Sequence, residues 1–218
     1  MKKILFIIVT ILLLVQCKVA EKPFAQEVQS LKTQDAQLTT KKDIVLFIGS
    51  STFTLWKDVQ KDMDNTNIVN RAFGGSTLVD VYNYRKQVAF DYQPKQIVIY
   101  CGENDIASST QVTGEEVEKR FEKLYTSLRQ HYPAIPILYM SMKPSSSRWG
   151  MKDRFMKGNQ LIQQYLKDKP NTRYIDIWSK LLDSNGNLRP ELYLEDNLHL
   201  NHQGYMIIVE NLKPYVLK

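Results

Sequence analysis

Two short blocks of this sequence carry side chains that could attack a carbonyl carbon. Ser51 ends the tripeptide Gly-Ser-Ser at positions 49–51, and a serine hydroxyl becomes a nucleophile when a neighbouring base takes its proton. Asp196 precedes His199 by three residues, so one loop could hold an imidazole base beside the carboxylate that orients it. Together these residues predict nucleophilic attack by Ser51, with His199 as the base.

Two further blocks could stabilise the negative charge that this attack places on the carbonyl oxygen. The segment 70–77 (NRAFGGST) contains Gly74 and Gly75, and glycine lets a backbone N–H approach a substrate closely. The segment 101–106 (CGENDI) contains Asn104, whose amide could donate to the same oxygen, and Asp105, which is expected to hold the loop. Either segment could instead be an ordinary turn, since glycine and asparagine are common turn residues.

Simpler interpretations compete for other residues in these blocks. Residues 50–52 could cap the N-terminus of a helix. His202 is a rival to His199, although it falls in the first turn of the last predicted helix. Cys101 precedes the third block directly, yet its apolar strand predicts a buried thiol that acts as a small hydrophobic residue.

Strand and helix patterns alternate from Asp43 onward, which predicts an α/β fold with a parallel sheet. Short apolar runs of the kind buried on both faces predict strands at 44–48, 68–69, 96–101, 135–141 and 174–177. Helices are predicted over 53–63, 115–129, 151–168 and 201–212, the last with Asn201 as its N-cap.

The predicted strands bring three of the four blocks to one edge of the sheet. Ser51 follows the first strand, Gly75 follows the second and Asn104 follows the third. Active sites of open parallel sheets lie at the carboxyl ends of the strands. In the strand order 2-1-3-4-5 these three strands are neighbours, so the three residues are expected to lie close together.

In this order, the four blocks resemble those of the SGNH-hydrolase superfamily, also called GDSL esterases, over residues 43–218. The resemblance implies a three-layer α/β/α fold with a five-stranded, flavodoxin-like sheet. It also implies a triad of Ser51, Asp196 and His199, and an oxyanion hole formed by the N–H groups of Ser51, Gly75 and Asn104. The family motif reads Gly-Asp-Ser, so Ser50 here replaces an aspartate.

The function that the resemblance implies is hydrolysis of carboxylic esters through an acyl-serine intermediate, without a metal or organic cofactor. Short acyl groups are expected, including O-acetyl groups on glycans, because no long apolar lid insertion is visible. Two alternatives stay open: an acyltransferase on the same scaffold, and a catalytically silent lipoprotein that binds a glycan or lipid.

Three basic side chains have no assigned role. Lys143 and Arg148, with Ser145 between them, follow the fourth predicted strand and could meet a polar or anionic substrate. A solvated loop explains them equally simply. Arg71 is a similar candidate for substrate contact.

The first residues predict export. Lys2 and Lys3 precede an apolar run over 4–15, which is too short for a membrane span of ~20 residues and is typical of a signal peptide over 1–16. Cys17 follows as in a bacterial lipobox, although Gln16 stands where a small residue is usual. We therefore expect a lipidated Cys17 and a membrane-anchored lipoprotein that faces the periplasm or cell exterior. A plain secretory leader or an uncleaved anchor is the alternative.

The net charge of +6 does not indicate a nucleic-acid partner. The leader lysines account for +2, and the polar segment 18–42 carries a further +2, which leaves +2 on the predicted domain. No basic stripe of the kind that binds nucleic acid is visible. The segment 17–42 is polar and lacks strong periodicity, so it is expected to be a tether, with a marginal helix around 28–38.

Overall fold

The computed structural model describes residues 22–218, so the predicted leader and Cys17 lie outside the described residues. Five parallel strands form one sheet in the order β2-β1-β3-β4-β5. The strands are β1 (Lys42–Gly49), β2 (Ile68–Asn70), β3 (Gln93–Tyr100), β4 (Ile137–Met140) and β5 (Thr172–Ile175). The predicted parallel, flavodoxin-like sheet is confirmed.

Helices cover both faces of the sheet. They are α1 (Ala25–Gln34), α2 (Ser51–Thr54), α3 (Val59–Asp62), α4 (Leu78–Asn83), α5 (Glu103–Ala107), α6 (Gly114–His131), α7 (Lys152–Leu166) and α8 (His202–Leu212). A 3-10 turn, Ser146–Met151, precedes α7.

Alternate side chains of β1 enter two separate apolar cores, which makes the fold three-layered. Ile44, Leu46 and Ile48 pack in the core beneath α1, α4, α6 and α7. Val45 and Phe47 pack in the opposite core, beneath α2, α3 and α8. The sequence of such a strand is a continuous apolar run because both faces of the strand are buried.

The helix predicted over 53–63 differs from the structure, which has two single turns, α2 and α3, separated by residues 55–58. The break follows from the packing of Trp56. Its ring is buried against Phe53 and Tyr205, and its indole N–H donates to Asp62 at 2.8 Å. These tertiary contacts outweigh the local helix pattern.

The tether predicted over 17–42 is wrong for its described part, because Phe24, Val28, Leu31 and Leu38 pack in the apolar core on one face of the sheet. Phe24 contacts Phe73, with ring centroids 5.3 Å apart, and Val28 is buried in the core. Asp35 is also buried and pairs with Arg71 at 2.8 Å. Burial alone would raise the pKa of Asp35, but hydrogen bonds from Lys32 and its other partners hold that pKa well below its usual range.

Within residues 22–218, every helix is too short or too polar to cross a lipid bilayer.

Candidate active site

The first block begins where β1 leaves the sheet. Gly49 has φ +134°, and a Cβ there would lie only 1.8 Å from the carbonyl oxygen of Tyr100, so only glycine lets β1 and β3 approach this closely. The N–H of Ser50 donates to the same oxygen at 2.9 Å. Ser51 is thereby placed at the first position of α2, where a backbone N–H has no acceptor within the helix.

Ser50 does not serve as the helix cap that its position suggests. It is the N-cap residue of α2, but its side chain makes no capping hydrogen bond. Its hydroxyl instead accepts a hydrogen bond from Nδ2 of Asn104 at 2.7 Å. The Ser50 side chain is therefore part of the contact between the first and third blocks.

The second block is tied to α2 by Asn70. Its Nδ2 donates to the carbonyl of Phe53 at 2.6 Å, and its Oδ1 accepts from the N–H of Ala72 at 3.1 Å. Of the two adjacent glycines, only Gly75 has a positive φ, +79°. Gly75 is exposed, and within the described residues its N–H donates to no acceptor, so it is free to meet a ligand.

The third block joins the second through Asn104 and Asp105. Nδ2 of Asn104 donates to the carbonyl of Ser76 at 3.0 Å. Asp105 is fully buried and accepts from the N–H of Leu78 at 2.8 Å and from Arg120 at 3.0 Å. Burial raises the pKa of Asp105 to about 6. Asp105 thus holds the loop, as predicted.

The fourth block is a preformed histidine–carboxylate pair. Nδ1 of His199 lies 2.6 Å from Oδ2 of Asp196. Oδ1 of Asp196 accepts from the N–H groups of Leu198 and His199, each at 2.9 Å. These bonds, the backbone N–H of His199 first among them, lower the pKa of Asp196 to about 2. Asp196 is therefore ionised at neutral pH and can orient the imidazole.

The loop that carries this pair is fastened to the sheet edge where the other blocks lie. The carbonyl of Asn197 accepts from the N–H of Ser147 at 3.1 Å, in the turn after β4. The hydroxyl of Tyr205, in α8, donates to the carbonyl of Thr52 in α2 at 2.9 Å. The structure thus brings all four blocks to the carboxyl edge of the sheet. The side chains of Ser51 and His199 make no hydrogen bond to each other.

A buried ionic cluster joins Glu103 of the third block to Lys143 and Arg148. Nζ of Lys143 is 3.3 Å and Nη1 of Arg148 is 3.4 Å from Oε2 of Glu103, whose other oxygen accepts from the hydroxyl of Tyr100. Burial lowers the pKa of Lys143, although Glu103 opposes that effect. Sequence reasoning missed this cluster.

The cluster corrects both interpretations of Lys143. Lys143 is only 2% exposed, so it neither lies in a solvated loop nor faces a substrate. Arg71 is likewise buried, and its partner is Asp35 rather than a substrate. Arg148 is partly buried, and its second Nη donates to Oδ1 of Asn104 at 2.9 Å.

Cys101 and His202, the other residues considered for catalysis, lie outside the proposed triad. Cys101 is a buried free thiol, and burial raises its pKa well above the usual value, as expected for a small hydrophobic side chain. His202 begins α8, whose N-cap is Asn201 as predicted. Among residues 22–218, no cluster of three or more histidine, cysteine or acidic side chains is arranged to hold a metal ion.

Comparison with solved structures shows the same fold. A Streptococcus pneumonia protein provisionally named a platelet activating factor is 23% identical, with a TM-score of 0.74 over 87% of this chain and 91% of that chain. A GDSL-like lipase from Bacteroides thetaiotaomicron is 22% identical, with a TM-score of 0.70 over 86% and 95%. A catalytic mutant of an acetylxylan esterase from Geobacillus stearothermophilus is 16% identical, with a TM-score of 0.65 over 78% and 91%.

The sequence itself matches a family description. Comparison with curated protein sequences finds no match. The GDSL-like lipase/acylhydrolase family matches residues 49–207, which include all four blocks and most of the chain. The chain therefore belongs to the GDSL-like lipase/acylhydrolase family and is a hydrolase.

Proposed function

We propose that the chain hydrolyses carboxylic esters through an acyl-serine intermediate, with Ser51 as nucleophile, His199 as base and Asp196 as the carboxylate that orients it. One observation carries the proposal. Ser51 begins α2, and His199 is joined to Asp196 at 2.6 Å in the loop before α8. The hydrogen bond from Tyr205 to Thr52 ties α8 to α2 at the same sheet edge. The hydrogen bond between the Ser51 and His199 side chains is proposed to form in the substrate complex, since catalytic hydrogen bonds often tighten only when substrate binds.

The reaction follows from these roles. His199 takes the proton of the Ser51 hydroxyl, and the oxygen attacks the carbonyl carbon of the ester. Asp196 stabilises the imidazolium without becoming protonated itself. The alcohol leaves with the proton held by His199, and water then attacks the acyl-serine by the same route to release the carboxylic acid.

The negative charge on the carbonyl oxygen is proposed to meet three N–H donors. Ser51 offers its backbone N–H at the start of α2, and Gly75 offers a free N–H on an exposed turn. Asn104 offers Nδ2, whose two protons contact Ser76 and Ser50 in the structure. When substrate binds, the oxyanion must replace the neutral Ser50 hydroxyl as acceptor of one Nδ2 proton of Asn104, and it is the stronger acceptor because it is charged.

Two exposed leucines are backbone neighbours of the proposed reacting residues. Leu55 lies four residues after Ser51, and the N–H of Leu194 donates to the carbonyl of His199 at 2.8 Å beside the Tyr193–Leu200 bridge. These placements put Leu55 and Leu194 on the same faces as Ser51 and His199. They are 41% and 48% exposed, so they could contact an acyl group of a few carbons.

We propose short acyl groups as substrates, with O-acetyl groups on glycans among them. The fold likeness to an acetylxylan esterase supports this choice. A panel of aryl esters from acetyl to long-chain acyl tests the proposal, with added alcohols as acceptors. Free acid should be the product, and kcat/KM should be highest at two to four carbons. Transfer to the alcohol would indicate an acyltransferase, and no turnover would indicate a binding protein.

We also propose that the chain is exported and held at a membrane surface through lipid on Cys17. The support is the sequence of residues 1–17, which lies outside the described structure. In bacterial cells the protein should stay with membranes until detergent is added, and Cys17→Ser should prevent lipid labelling. Mass spectrometry that finds the mature N-terminus elsewhere than Cys17 would contradict this.

A further inference from the structure

The side-chain amide of Asn104 is held on both sides by groups that can play only one role. The carbonyl of Ser76 can only accept, and it lies 3.0 Å from Nδ2. The guanidinium of Arg148 can only donate, and it lies 2.9 Å from Oδ1. A flip of the amide would set oxygen against oxygen and N–H against N–H, so these two contacts fix which side of Asn104 carries the protons.

Arg148 is itself held in place. Nη1 lies 3.4 Å from Oε2 of Glu103, and Nη2 makes the bond to Asn104, so one guanidinium bridges two consecutive residues of α5. Glu103 is 8% exposed and also accepts from the backbone N–H of Lys143 at 3.1 Å. The buried ionic cluster therefore fixes the plane of the guanidinium, and through it the plane of the amide.

We propose that Arg148 is a positioning residue of the oxyanion hole, which holds Oδ1 of Asn104 so that an Nδ2 proton faces the substrate oxygen. The inference rests on the proposed function, because it explains how one of the three proposed donors is aimed. The Arg148 side chain is 17% exposed and two of its nitrogens are already engaged. It acts through Asn104 and not by direct contact with substrate.

The charge of Arg148 adds to its geometric role. A cation that donates to Oδ1 draws electron density from the amide, which makes its N–H groups better donors, since hydrogen bonds in a chain polarise one another. A neutral donor at this position would hold the Asn104 amide in the same orientation. It would, however, make the N–H groups of that amide weaker hydrogen-bond donors than the cation does.

A double-mutant cycle tests the proposal with an aryl acetate as substrate. Asn104→Ala should lower kcat by ~10²–10³, as loss of an oxyanion donor does. Arg148→Met should lower kcat by ~10–10² with KM changed by less than about twofold, because it weakens a donor used in the transition state. In the Asn104→Ala background, Arg148→Met should cost less than about twofold more, because its partner is already absent.

Two further variants distinguish an effect of Arg148 on Asn104 from a general effect of removing a positive charge. Arg148→Lys retains the charge and one donor, so its kcat should fall between those of wild type and Arg148→Met. Arg173→Met removes the same charge from an exposed side chain that stacks on Tyr215, and it should leave kcat unchanged. Equal losses from Arg148→Met with and without Asn104, or a change confined to KM, would overturn the proposal.

A second readout needs no turnover. In ¹⁵N-labelled protein, the Nδ2 protons of Asn104, identified by their loss in Asn104→Ala, should exchange slowly with water. Arg148→Met or Arg148→Lys should accelerate that exchange, whereas Arg173→Met should not. Unchanged exchange in both Arg148 variants would overturn the positioning role. A wild type that cleaves no ester but shows the expected exchange would contradict the proposed function alone.

Discussion

At the scale of single residues, the two adjacent serines of the first block have different environments. Ser51 begins α2 and is partly exposed, whereas Ser50 is 4% exposed and its hydroxyl accepts from Asn104. Only a partly exposed hydroxyl can reach both a substrate and His199. Ser50 stands where the family motif has aspartate, and its hydroxyl is an additional contact of the Asn104 amide.

This difference predicts different outcomes for two alanine variants. Ser51→Ala should lower kcat by ~10⁴ or more, because the nucleophile is lost. Ser50→Ala should lower it by less than about tenfold, because Asn104 keeps its bonds to Ser76 and Arg148. Steady-state kinetics on a short-chain aryl ester measures both. Comparable losses in the two variants would remove the distinction drawn between the serines.

The candidate site was largely predictable from sequence, because its residues stand in short motifs at strand ends. The assignment of catalytic roles to those residues stays a prediction. The buried ionic cluster was not predictable, since Glu103 and Lys143 are 40 residues apart and no local pattern marks their contact. A lysine after a strand looks the same in sequence whether it is solvated or buried against a carboxylate.

At the scale of elements, α1 shows how a polar segment becomes part of a domain. Its composition suggests a tether, yet Val28 is buried and Asp35, just after the helix, meets Arg71 from the segment after β2. The sequence predicted the sheet and the long amphipathic α6 because their apolar spacing is local. It could not predict where α1 docks, since that depends on a charge pair between distant residues.

The Asp35–Arg71 pair predicts a large effect on stability. Asp35→Asn should lower the free energy of unfolding by about 3–5 kcal/mol, because it leaves a buried guanidinium without its carboxylate. Asp64→Asn is the matched control, since Asp64 pairs with Lys218 at an exposed site and should contribute little. Urea unfolding measures both. Similar losses of unfolding free energy in the two variants would show that the docking of α1 contributes little to the stability of the domain.

At the scale of the whole molecule, two cores on either side of one sheet leave the carboxyl edge free for the site. Asp105 links three elements at that edge, since it accepts from the first residue of α4, belongs to α5 and pairs with Arg120 of α6. Its burial carries a cost, because the charged form is favoured less inside the protein than in water. The stability of the molecule should therefore depend on pH through this residue.

The sign of that dependence follows from the raised pKa. The pKa of Asp105 is about 6 in the folded protein and 3.8 in the unfolded chain, so folding takes up a proton between these values. The contribution of Asp105 to stability should be fully present below about pH 4 and lost as the pH rises through 6. Thermal unfolding from pH 4 to 7 checks this against Asp105→Asn, which cannot titrate. A stability difference between the two proteins that does not change with pH would contradict it.

The proposed covalent acyl intermediate on Ser51 can be tested by trapping the serine. A fluorophosphonate reacts with an activated serine and leaves a stable adduct whose position peptide mass spectrometry identifies. We expect one adduct per chain, on Ser51, and none in Ser51→Ala. An adduct on Ser50 or Cys101, or ester hydrolysis that continues without any adduct, would contradict it.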